Sequence, residues 1–94
     1  MTYLITHFYE GGTQDQYDAV VSVVHPPGGL PAGQVYHAAG PTDGGWLVVA
    51  VWESKEACDT FVSETLVPTL PTISGGLAGP RQERAAEVAN LLTA

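Results

Sequence analysis

The sequence predicts an α+β domain in the order strand, helix, strand, strand, helix, strand, an antiparallel sheet with two helices on one face. Three observations lead there. A strand-like opening runs into a capped helical pattern; two strand-like segments flank a Gly/Pro turn; and a second capped helical pattern precedes a short tail. The 94 residues fit a single domain, residues 1–94.

Thr2–Glu10 is rich in Tyr, Ile, Thr and Phe, which suit a pleated surface, and Gly11-Gly12 ends it. Thr13 and Gln16 match a capping box, so helix one is expected over Gln14–Val24, with Tyr17, Val20, Val21 and Val24 on its inner face. His25–Gly33 holds three prolines and three glycines and reads as a loop. Gln34–Ala39 reads as strand two, Gly40–Gly45 as a hairpin turn, and Trp46–Glu53 as strand three. Ser54 is an N-cap for helix two, whose face is traced by Ala57, Phe61, Thr65 and Leu66, widened by Cys58 and Val62. Pro68 and Pro71 are expected to bend or end it. Ser74–Pro80 is a second link. The tail from Arg81 favours helix by propensity, whereas a strand over about Gln82–Leu91 completes the pattern.

Composition excludes several functions. With 45% apolar and 14% charged residues the chain is too apolar for disorder. Net charge is -7, and the basic residues are Lys55, Arg81 and Arg84 alone, so neither nucleic acid nor anionic membrane is an expected partner. The longest apolar run, Leu47–Trp52, falls far short of the ~20 residues of a membrane span. Met1-Thr2-Tyr3-Leu4 lacks the basic start of a signal peptide, so a cytoplasmic location is expected. A lone cysteine, Cys58, precludes an internal disulfide and a multi-cysteine metal site. No glycine-rich phosphate motif leads into a helix, so no nucleotide cofactor is expected.

Strand three does not alternate. Trp46, Val48, Ala50 and Trp52 point one way and Leu47, Val49 and Val51 the other, so both faces are apolar while two helices cover one. A second copy of the chain is the expected cover, giving a homodimer.

Trp52-Glu53-Ser54-Lys55-Glu56-Ala57 running into Phe61, the segment His37–Trp46 and the ending Glu87–Leu92 together resemble small antibiotic-biosynthesis-monooxygenase-like members of the dimeric α/β-barrel superfamily. The resemblance covers nearly the whole chain. It implies a ferredoxin-like fold pairing into a barrel, and it favours strand for the tail. It also implies oxidation of phenolic or quinol-like substrates without metal or flavin. Helix two, Cys58–Thr65, lacks the histidine that many members carry there, which removes a haem ligand.

Three histidines are the acid–base candidates. One hairpin register puts Val35, His37 and Ala39 on the face of the two tryptophans, so His37 is the first candidate catalytic residue and His25, at the loop mouth, the second. His7, Tyr17, Trp46, Trp52 and Asn90 are candidate substrate-binding residues. Each has a structural alternative: core histidine, core aromatic, or solvated residue. Cys58 reads as a small buried hydrophobe and no metal site is expected. The expected function is a cofactor-independent enzyme for a hydrophobic, aromatic or polyketide-like molecule, by monooxygenation or by histidine acid–base isomerisation or cyclisation. The alternative is a non-catalytic dimer that binds such a ligand.

Overall fold

Thr13 opens the first helix as predicted. In the computed structural model, which describes residues 2–27, 29–77 and 81–93, its hydroxyl accepts from the Gln16 amide while the Gln16 side chain accepts from the Thr13 amide. The elements are β1 (Tyr3–Glu10), α1 (Gln14–Val24), β2 (Gln34–Thr42), β3 (Gly45–Trp52), α2 (Lys55–Phe61) and β4 (Arg81–Glu87). The four strands form one sheet in the order β2-β3-β1-β4, antiparallel throughout. This is the ferredoxin-like arrangement. No helix among the described residues is long and apolar enough to cross a membrane.

The hairpin is tighter than expected. β2 runs through Pro41 to Thr42, and the turn is Asp43-Gly44 rather than Gly40–Gly45. Gly44 supplies the positive φ, 84°, that the tight turn needs. Pro41 is tolerated because β2 is an edge strand.

The second helix outlasts its prolines. Ser54 caps α2 by accepting from the Ala57 amide. The chain then widens into a π-helical turn, Val62–Leu66, where the Val67 amide bonds the Val62 carbonyl. A last α turn, α3 (Val67–Thr69), and a 3-10 turn, Leu70–Thr72, finish it. Pro68 has no N–H for the Glu64 carbonyl, and the ladder widens just before it instead of stopping.

The tail is a strand, against its helical propensity, because β1 offers an unpaired edge. It is shorter than expected: β4 ends at Glu87, and one more bond joins the Val88 amide to the Thr2 carbonyl at 2.9 Å. Tyr3, the first residue of β1, pairs with Glu87, the last of β4. Ala78, Gly79 and Pro80 of the expected Ser74–Pro80 link lie outside the described residues.

The helices cover the face carrying Ile5, Tyr9, Ala50 and Trp52, which pack against Val20, Val24, Cys58 and Leu66. Trp52, 1% exposed, anchors this core; truncating such a residue to alanine costs about 3–5 kcal/mol. The other face presents Leu4, Phe8, Leu47 and Val49, all half-buried and without a helix over them. At one end of that face Tyr36 and Val51 share a shallow cleft with Leu91 and Leu92 of the tail.

Candidate functional site

Register places the histidines. His37 pairs with Ala50 and Ala39 with Val48, so both lie on the helix-covered face with the tryptophans, as expected. Val35 does not. The β2–β3 register shifts between Gln34 and Tyr36, which leaves Val35 44% exposed and sets Gln34 opposite Trp52. This bulge turns the Gln34 side chain toward His37. On β1, His7 falls on the same covered face, two residues from Tyr9.

Between this face and the helices lies a cavity of about 50 Å³. Its walls are mainly apolar: Ile5, Val20, Val24, Val48, Ala50, Trp52, Phe61 and Leu66. The polar groups are few: His7, Tyr9, Tyr17, His25, Gln34 and His37. A cavity that holds benzene measures about 150 Å³, so the present volume suits water or a diatomic molecule. An aromatic ligand needs the wall to move outward, and His25, at the start of the Pro/Gly loop, lines both this cavity and a neighbouring surface cleft.

Two hydrogen-bonded groups stand on opposite sides. On one side, Gln34 Oε1 accepts from His37 Nδ1 at 3.2 Å, and the Tyr17 hydroxyl bonds His37 Nε2. With Nδ1 protonated, Nε2 of the neutral ring is an acceptor, so Tyr17 donates. Burial, with His25 adding, pushes His37 down to about 4. Burial also lowers His25 and raises the Tyr17 hydroxyl. The His25 ring meets the His37 ring edge-on, centroids 4.6 Å apart. On the other side, His7, 6% exposed, holds Glu83 through Nε2 at 2.9 Å. Burial lowers its pKa, opposed by its bond to Glu83 and joined by the Arg81 charge.

The expected site residues thus sort as follows. His7, Tyr17, His25, His37 and Trp52 meet at the cavity. Trp46 does not line it; its indole lies behind Tyr17, ring centroids 5.3 Å apart. Asn90 is exposed beyond the end of β4, because the strand that was to carry it stops at Glu87. Gln34 and Glu83 were not singled out in the sequence. The signal for Gln34 was a bulge that no residue announces; that for Glu83 was the β1–β4 register, which sets it opposite His7. The Cys58 thiol is pushed up to about 11 by burial and is fully buried, which makes it inert.

Fold and cavity together define a class: a ferredoxin-like α+β domain with a small, mainly apolar cavity between sheet and helices. Solved structures of that type superpose over nearly the whole chain. Rv0793 from Mycobacterium tuberculosis matches with TM-score 0.64 and 14% identity, covering 98% of each chain. The ActVA-Orf6 monooxygenase of Streptomyces coelicolor, in complex with Nanaomycin D, gives 0.59 at 19% identity over 99% of this chain and 91% of that one. SnoaB, a cofactor-independent oxygenase from Streptomyces nogalater, gives 0.58 at 14% identity over 97% and 95%. At such identities the likeness is one of fold. No family model matches the sequence, and neither does any curated protein.

Proposed function

We propose that this chain is a cofactor-independent, monooxygenase-like enzyme for a small hydroxylated aromatic molecule. The observation that carries the reading is the cavity: aromatic and aliphatic walls, with histidines and two tyrosines as its titratable groups. Apolar walls favour a flat hydrophobic ligand, and a hydroxyl on it finds imidazole and phenol partners. The balanced reaction is a phenol plus O2 giving a quinone plus water. The substrate loses four electrons, one oxygen atom becomes a carbonyl and the other leaves as water. Loss of the phenolic proton makes the ring the electron donor, so the protein's contribution is acid–base and desolvation. Two cofactor-independent or monooxygenase relatives of the same fold support the oxygenation arm over isomerisation or cyclisation.

The same reading includes a homodimer. The helix-free face, with Leu4, Phe8, Leu47 and Val49, is apolar enough to call for a cover, and a twofold copy supplies one. The direct test is oxygen uptake by metal- and flavin-free protein offered one-, two- and three-ring hydroxyarenes. Uptake above the protein-free rate, with matching quinone formation, supports the enzyme. Saturable binding without uptake supports the ligand-binding alternative.

A further inference from the structure

We propose that His7, backed by Glu83, is the base that takes the hydroxyl proton of the aromatic ligand, while His37 serves only to orient Tyr17. This rests on the enzyme reading above and assigns its proton-transfer residue.

The argument is one of vacant lone pairs. Both ring nitrogens of His37 are engaged, Nδ1 with Gln34 and Nε2 with Tyr17. Accepting a further proton there requires breaking the Tyr17 bond. His7 differs. The Glu83 carboxylate accepts from Nε2–H, which fixes the tautomer and leaves the Nδ1 lone pair free. No described residue hydrogen-bonds that Nδ1. Among the described residues, the buried polar side-chain atoms without a partner are the indole nitrogens of Trp46 and Trp52, and His7 Nδ1 is not one of them. His7 lines the cavity, opposite the Tyr17–His37–Gln34 group.

Burial lowers the proton affinity of both His7 and His37, and their neighbours set them apart. The groups facing His7 are Glu83 and Arg81 of β4, the first raising and the second lowering its proton affinity, and Tyr9 of its own strand, edge-on at 6.2 Å. The β3 residue paired with it, Val48, is uncharged. His37 has no carboxylate and is depressed further by His25. On transfer, one O–H bond breaks and one Nδ1–H bond forms. The imidazolium is held against the carboxylate, and the ligand remains as its phenolate. No electron leaves in this step.

The test uses 4-nitrophenol, whose phenolate absorbs apart from its phenol, with full-length wild type, His7→Gln and Glu83→Gln. At a pH just below neutrality, the phenolate-to-phenol ratio of the bound probe is expected to be about tenfold higher in wild type than in His7→Gln. An equal ratio in the two overturns the assignment of His7 and leaves the enzyme reading standing. Failure of wild type to bind any hydroxyarene overturns the enzyme reading and this inference with it. Glu83→Gln covers the case in which His7→Gln does not fold. Without ligand, NMR titration of His7 is expected to show a proton affinity about three- to tenfold lower in that variant. An unchanged titration overturns the pairing.

Discussion

Gln34 governs the ring of His37. Its side-chain oxygen lies 3.2 Å from Nδ1 and leaves the opposite nitrogen to receive the Tyr17 hydroxyl. A β-bulge thereby sets the direction of a hydrogen-bond chain that ends at the cavity wall.

Replacing Gln34 with Met removes that acceptor at similar length. The expected result is loss of the Nδ1–H tautomer as the major form of His37, read from its ring nitrogen shifts, with about 1–2 kcal/mol lost in stability from the stranded N–H. An unchanged tautomer shows that Tyr17 alone orients the ring.

Stability depends on pH through His37. Its folded pKa, about 4, lies below the unfolded value of 6.5. The unfolded chain therefore binds a proton that the folded one refuses. The contribution is full above pH 6.5 and is lost as pH falls toward 4, up to about 3 kcal/mol. Burial lowers His7 and His25 as well, with the same sign. Urea midpoints across this range check it, and His37→Gln is expected to flatten the slope.

Gly33 is expected to resist substitution. Its φ is +86°, and a Cβ there meets the Ala57 Cβ at 2.7 Å. Gly33→Ala is expected to cost about 1–3 kcal/mol in a denaturant melt. It also moves the start of β2, so the Gln34–His37 bond weakens with it.

The helix-free face is open to a simple probe. Val49 sits mid-strand there, opposite Thr6 and Ala38. Wild type is expected to sediment at twice its 9.9 kDa chain mass, and Val49→Asp as a monomer. A monomeric wild type at micromolar concentration contradicts the homodimer.

Much of the fold was legible because local signals agreed with global ones. Thr13 and Gln16 announced α1, Ser54 announced α2, and the doubly apolar Trp46–Trp52 run announced a central strand. Elements whose ends depend on a partner were less legible. β4 ends at Glu87, opposite the first residue of β1, and no change in its own residues marks that end, so Asn90 was misplaced. The helix continues past Pro68 because a π-helical turn absorbs the missing donor, a solution that propensity does not encode. At the site, alternation put His37 beside the tryptophans. It could not reveal Gln34, brought in by a bulge, or Glu83, brought to His7 by strands 76 positions apart.

The claim that the cavity supports oxygenation unaided is tested most directly with 18O2. Metal- and flavin-free protein is incubated with a hydroxyarene that it binds, and the products are weighed by mass spectrometry. The account predicts one heavy oxygen in the quinone, the other in water, and formation faster than in buffer alone. Unlabelled product, or labelling no faster than in buffer, contradicts it.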